Sequence, residues 1–238
     1  MISPRRKYNE RLFNSNFIRT FFHNSRFNWL RMTVTQKNID CSSMIEIGCF
    51  DGRIFNYLPK NPKVYKGYDA NWEGGLENAR KKFLKDKSKE FFFANSPNDI
   101  KLDENEKFAI GVSIESFEHI PPELVCPYLK LLSNHIDGNL LITVPNEKGL
   151  FFLIKSIFKP SSEEVVKYNF MDYINLIFGR TNYVLREDHK GFDYDHLIYD
   201  VKKFFNIKEI SSYPKLFFLP KRFSFGIGIV AEPKKFIS

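Results

Sequence analysis

Cysteine is scarce: Cys41, Cys49 and Cys126 are the only three in 238 residues, with no paired spacing and no histidine cluster beside them. That excludes a disulfide framework and offers no zinc-ligand pattern, so reduced thiols in a cytoplasmic protein without a metal centre are expected. Long apolar runs are missing as well. The longest, Leu150 to Ile154 continuing to Phe158, is interrupted by Lys155 and falls well short of the ~20 residues that span a bilayer. The basic start "MISPRRKYNERLF" is followed by no apolar stretch of the secretory kind, so a soluble protein is expected. Internal repeats and low-complexity tracts are absent. Only 12 residues are glycine, and neither a G-x-G-x-x-G fingerprint nor a Gly-Lys-Ser/Thr phosphate loop occurs.

Aromatic residues, by contrast, are plentiful. Phe alone occurs 26 times, and 43% of the chain is hydrophobic, enough to bury a substantial core. The length suits one large domain, or one domain with an appended piece. The net charge of +8 belongs to the ends: residues 1–40 hold eight Lys or Arg against Glu10 and Asp40, and residues 214–238 hold five against Glu232. Such ends meet nucleic acid, an anionic membrane surface or a phosphorylated substrate, or serve only as a solvated face.

Residues 9–22 read as a helix, with Phe13, Phe17 and Phe21 four apart, and a second helix is expected over 26–37. Short apolar runs then alternate with amphipathic segments. Strands are expected near 43–47, 63–68, 89–94, 107–113 and 139–144, with helices near 52–58, 73–85 and 121–135. Alternation of this kind implies a parallel sheet wound by right-handed crossovers. Two further helical patterns fall within residues 148–180, then a helix over 194–204 leads to strands near 206–212 and 224–231. With no helix between them, those two strands form an antiparallel hairpin at one edge.

The informative stretch is "SSMIEIGCFDGRIFNYL", residues 42–58: a strand, a glycine-bearing turn and a helical start. Phe50 and Arg53 occupy the positions where a dinucleotide turn needs glycine, so a pyrophosphate cannot approach in the usual way. What remains is Glu46-x-Gly48-x-x-x-Gly52, followed 21 positions after Gly48 by Asp69 at the end of the second strand. Roughly 20 is the separation at which a carboxylate reaches a ribose. A ligand with a ribose and no phosphate fits, and S-adenosylmethionine is one: the glycines let its methionine part lie on the backbone, and Glu46 favours its cationic side.

The fourth strand is followed by "SIESFEHIPP", an amphipathic helix and "GNLLITVPNEKG". In this order the motifs resemble class I S-adenosylmethionine-dependent methyltransferases, of the broad group called type 11 or 12, over about residues 40–146. The segment "DHKGFDYDHLIYDVKKFFNI" also resembles a late segment of members acting in surface-glycan biosynthesis. The resemblance implies a Rossmann-like α/β sandwich whose seven-stranded sheet is mostly parallel, with an antiparallel strand near the C-terminus. It places Glu46, Gly48, Cys49 and Gly52 along the methionine part, Asp69 on the ribose, and Ala70 and Asn71 beside the adenine. Asn95 and Ser96 would face the adenine edge, and Ser113 and Glu115 would close the site near the methyl. Three positions depart from the pattern. Phe50 replaces a middle glycine, Ala109 replaces an Asp at the start of the fourth strand, and Asn95 replaces an adenine-binding Asp.

Methyl transfer to a hydroxyl needs a base, and His119 and His189 are the candidates because imidazole titrates near neutral pH, with Glu118 or Glu115 to orient them. Their alternatives are a helix-packing residue and an ordinary surface turn. The expectation is therefore a methyltransferase domain over residues 41–238 with an N-terminal helical extension over 1–40. A helical insertion at about 147–190 would shape the pocket for a small-molecule or glycan-precursor acceptor. Two rivals stand beside it. One is an RNA or tRNA methyltransferase, suggested by the basic amino-terminal segment with Phe13, Phe17, Phe27 and Trp29 interleaved. The other is a catalytically inactive subunit of the same fold, suggested by Phe50 and Asn95.

Overall fold

The computed structural model describes residues 17–149, 152–153, 168–187, 189–214 and 224–234. Twelve regular elements form in the order α1 (Phe17–Gln36), β1 (Ser43–Ile47), β2 (Val64–Asp69), α2 (Gly75–Lys82), β3 (Lys89–Phe93), β4 (Phe108–Ile114), α3 (Pro122–His135), β5 (Ile136–Pro145), α4 (Phe170–Ile177), α5 (Tyr194–Phe204), β6 (Phe205–Tyr213) and β7 (Gly226–Pro233). The sheet has seven strands in the order β3-β2-β1-β4-β5-β7-β6. Strands β1 to β5 are parallel to their neighbours, and β7 runs antiparallel to both β5 and β6.

Both faces of this sheet are covered, which is why its central strands read as continuous apolar runs. On β1 and β5 successive residues alternate between the two cores. Ile45 and Ile142 join α3 and α5 through Leu129, Leu132 and Val201, while Met44 and Leu141 join α1 and α2 through Leu30, Leu76 and Ala79. Gly228 of β7 admits the indole of Trp29, since a Cβ there would lie 2.1 Å from the ring, and Trp29 Nε1 donates to Ser211 Oγ at 2.8 Å. Helix α1 is therefore bound into the sheet's face. No helix among the described residues is long and apolar enough to cross a membrane.

Four expected helices differ. The two expected over 9–22 and 26–37 are one helix where described, from Phe17 to Gln36; residues 1–16 lie outside the described residues. Asn24 and Ser25 do not break it, because the Ser25 hydroxyl donates back to Phe22 O at 2.5 Å within the helix. The helix expected over 52–58 is only a 3-10 turn at Arg53–Asn56, begun by Gly52 at φ 67° and followed by Pro59 and Pro62. The helix expected from 73 starts at Gly75, since Asn71, Glu73 and Gly74 all hold left-handed backbone before it. Of the two patterns expected within 148–180, α4 is described, and residues 150–151 and 154–167 lie outside.

Candidate functional site

Ordering the strands 3-2-1-4-5 puts a switch point between β1 and β4, and the crevice outside the carboxyl ends of parallel strands there is where such sheets hold ligands. The chain emerging from β1 turns at Gly48 (φ 78°), Phe50 (φ 45°) and Gly52 (φ 67°). Gly48 and Cys49 both donate their amides to Tyr68 O, at 2.7 and 3.2 Å, which clamps the turn onto β2. A Cβ on Gly48 would lie 1.9 Å from Ser116 Oγ, so only glycine fits between the turn and the loop after β4. The left-handed backbone at Phe50 is the conformation the missing glycine would have adopted freely. Its ring lies on α2, where a Cβ on Gly75 would meet it at 2.2 Å, and it stands 6.3 Å from the half-exposed Trp72 ring.

Asp69 ties the turn to the loop after β2. Oδ2 accepts from Phe50 N at 3.0 Å and Oδ1 from Asn71 N at 2.7 Å, with a further hydrogen bond from Trp72 N. A carboxylate has about four lone-pair sites, so three amides leave one for a ligand hydroxyl. Burial raises its pKa against the pull of those amides. Asn71 caps α2, accepting from Glu77 N at 3.3 Å and donating to Glu77 Oε1 at 3.1 Å, and Ala70 beside it is exposed. Beyond β3, Asn95 and Ser96 both donate their amides to Asp99 Oδ2, and the Ser96 hydroxyl does the same at 3.0 Å. Asn95 is exposed, so its amide group remains at the surface of this rim.

Four of the anticipated residues are buried or nearly so. Glu46 is 3% exposed and accepts a hydrogen bond from Tyr65 Oη, and burial pushes its pKa up to about 8. Cys49 points into the same core, its thiol held well above its usual pKa by burial. Ser113 is fully buried, and its hydroxyl has no hydrogen-bond partner among the described residues. Glu115, at φ 47°, forms an ion pair with Arg26 of α1 and accepts from Tyr213 Oη at 2.9 Å. Glu46 and Ser113 belong to β1 and β4 themselves, and Cys49 and Glu115 follow the ends of those strands.

The two candidate bases converge. His119 follows β4 and His189 lies in the late loop, yet their ring centroids are 4.2 Å apart, edge to face. Arg186 Nη2 fastens one loop to the other by donating to Glu118 O at 2.9 Å and Ile120 O at 3.2 Å. Glu118 Oε1 lies 3.9 Å from His119 Nε2. Burial raises the Glu118 carboxyl to about 7, opposed by His119 and Arg26 and aided by Glu147. Glu118, His119 and His189 thus bring three ligand-type atoms within 4.8 Å of one another, a grouping no linear spacing announced. Ser116 and Arg186 are further members that the sequence reading missed. Ser116 is one of three polar residues in "SIES", and nothing local marks Arg186 as a clamp.

No protein-family model matches the chain, and no curated protein matches it in sequence. Solved structures do resemble it. An S-adenosylmethionine-dependent methyltransferase from Clostridium acetobutylicum is 14% identical, with a TM-score of 0.60 over 95% of this chain and 96% of that one. The magnesium protoporphyrin IX methyltransferase of Synechocystis, solved with bound SAH, is 14% identical, with a TM-score of 0.58 over 94% of this chain and 92% of that one. The fold is the class I methyltransferase fold. A Pyrococcus horikoshii protein, PH0226, superposes on 97% of this chain and 100% of its own with a TM-score of 0.62 at 17% identity. The glycine turn and Asp69 stand at the switch-point crevice of this fold, and His119 lies in the loop that follows β4.

Proposed function

We propose that the chain is a methyltransferase using S-adenosylmethionine, and that its acceptor is a hydroxyl of a small polar molecule. The observation that carries the reading is the joining of the glycine turn to Asp69 at the switch point, with His119 and His189 beside it. The residues present suit the cofactor: Gly48 and Gly52 leave a bare backbone for the methionine part, and Asp69 keeps an acceptor site for a ribose hydroxyl. Phe50 does not oppose this, because its ring is turned onto Gly75. When bound, the cofactor supplies a methyl group on a sulfonium. This chain's residues then align the acceptor, exclude water and take up its proton, and alignment supplies much of the acceleration in such an in-line transfer. In this reading the His119–His189 pair, edge to face in the loops after β4 and before α5, is the proton acceptor.

Glu46 takes a different part from a fixed anion. Held neutral by burial, it gives up its proton when a cationic ligand settles above it, and the phenol of Tyr65 stabilises the anion so formed. A sugar acceptor, and with it a step in glycan assembly, rests on the segment containing "HKGFD", whose His189 packs against His119. Lys190 pairs with Asp172 of α4 at 2.8 Å, so the insertion that would shape the acceptor pocket is fastened to the same loop.

Calorimetric titration of S-adenosylmethionine and S-adenosylhomocysteine tests the cofactor, with Asp69→Ala and NAD as controls. Micromolar binding to both adenosyl ligands, lost in Asp69→Ala and absent for NAD, is the expected outcome. A chain that binds neither ligand is the inactive-subunit reading, and the methyltransferase reading then fails. Acceptors are next screened by a mass gain of one methyl.

A further inference from the structure

The role of a base leaves Glu118 unexplained. It is 1% exposed, both its carboxylate oxygens are buried, and neither has a hydrogen-bond partner among the described residues. A buried polar group without a partner costs about 1–3 kcal/mol, and a charged one more, so such groups persist where something completes them. Only its own backbone amide approaches the Glu118 carboxylate, although the Arg186 clamp binds the carbonyl of the same residue. What faces it instead are two imidazoles. His119 Nε2 is 3.9 Å from Oε1, and the His189 ring stacks edge-on against His119.

Among the described residues, carboxyl groups gather around Glu118. From the loops after β4 and β5 come the carboxyls of Glu115, Glu118 and Glu147, all largely buried. From α1 comes Arg26, which is committed to Glu115. Lys148 is committed to Asp193 and Asp195, and Lys190 to Asp172.

We propose that Glu118, His119 and His189 form a binding site for a divalent transition metal ion of the zinc, manganese or cobalt kind, on the acceptor side of the glycine turn. Two imidazole nitrogens and one carboxylate, with no thiolate, are a donor set for such ions and a poor one for calcium or magnesium, which take oxygen. The donor atoms now lie within 4.8 Å of one another. At ligand distances of about 2.0–2.2 Å they would stand roughly 3–3.5 Å apart, so they must draw in by about 1 Å or more. The His119 side chain is 44% exposed and supplies that movement by rotating, while Glu118 stays fixed. Arg186 already holds the two loops in register, which lowers the entropic cost of assembling ligands so distant in sequence.

Three protein ligands leave a position open, as in catalytic rather than structural metal sites. An acceptor hydroxyl taken up there would be acidified by the ion, which would do by Lewis acidity what the imidazoles alone would do by accepting the proton. This consequence rests on the methyltransferase reading; the binding of the ion does not.

The test is a titration of cobalt(II) into the full chain after removal of metal by a chelator, read by the visible ligand-field absorption, with zinc(II) followed by calorimetry. One equivalent bound in the micromolar range or tighter, weakened tenfold or more in His119→Ala and His189→Ala, is the expected result. His119 is exposed, so its replacement leaves the fold intact even where Glu118→Gln does not. S-adenosylhomocysteine binding, measured on the same samples, separates the two readings. A protein that binds the adenosyl ligand but gives no cobalt signal, or gives one unchanged in both histidine variants, overturns the metal site alone. A one-equivalent cobalt signal lost in both variants upholds the site even where the adenosyl ligand does not bind.

Discussion

At the scale of single residues, Glu46 shows how position overrides residue type. An acidic residue at the end of a first strand invites reading as a counter-charge for a cationic ligand. In the folded chain it is a buried acid whose pKa lies at about 8, against 4.5 for an ordinary glutamate. The direction of the linkage follows. Between those two values the folded state holds a proton that the unfolded state has released, so stability falls as pH rises through that window. Glu46→Gln keeps an acceptor for Tyr65 and removes the proton. Its melting temperature should match the parent's near about pH 5 and exceed it near about pH 8.5. At roughly 1.4 kcal/mol for each pH unit separating the two values, tempered by water entry, a difference of about 2 kcal/mol is expected. That corresponds to about 4–8 °C in a domain of this size. Parallel melting curves for parent and variant across the range would show that the carboxyl is not held neutral. Saturating S-adenosylmethionine should narrow the gap, because the bound ammonium draws the proton off.

At the scale of elements, the device that brings α1 to the site is the buried Arg26–Glu115 pair, with Tyr213 completing it from β6. Removing one partner of such a pair leaves a buried charge uncompensated, at about 3–5 kcal/mol, whereas removing both is far milder. Arg26→Met should therefore lower the urea midpoint sharply, and Arg26→Met with Glu115→Gln should recover at least half of the loss. Additive losses in the double variant would show that the two do not act as a unit. None of this was visible in the sequence, where Arg26 is one basic residue among eight in residues 1–40. What could be seen was periodicity. The seven strands lie within a few residues of expectation, and α5 has its expected bounds, because apolar alternation and the Asp193 cap are local signals. The failures were at 52–58 and at 73, where helical periodicity meets left-handed backbone that only tertiary contacts impose. The site was legible to the same extent. Gly48, Gly52 and Asp69 declare themselves by spacing, but the meeting of His119 with His189 depends on Arg186, a contact between loops far apart in sequence.

At the scale of the whole molecule, the question is what the charge of +8 is for. An RNA substrate would need the basic amino-terminal segment to face outward as a patch. The fold removes two of its eight cations from that role: Arg26 is buried against Glu115, and Lys37 pairs with Glu209 of β6 at 2.6 Å. Arg31 is exposed on α1, while Arg5, Arg6, Lys7 and Arg11 lie outside the described residues. Loose counter-ion contact and a built interface are distinguishable by measurement. Affinity for single-stranded RNA falls with salt by a slope of about −0.7 per phosphate neutralised, and loose binding lies at roughly 10⁻⁴–10⁻⁶ M near physiological salt. The expected outcome, by fluorescence anisotropy across a salt series, is binding within that loose range. Replacing Arg5, Arg6 and Lys7 with Gln should then flatten the slope by about two, since up to three phosphate contacts are lost. The same replacement should leave the affinity for S-adenosylhomocysteine unchanged, because the crevice proposed for the adenosyl group lies at the ends of β1, β2 and β4. A nanomolar RNA complex would instead mean that the acceptor is a nucleic acid and that the small-hydroxyl reading is wrong. The histidine cluster would then stand where a ribose hydroxyl of RNA, not a free sugar, is presented.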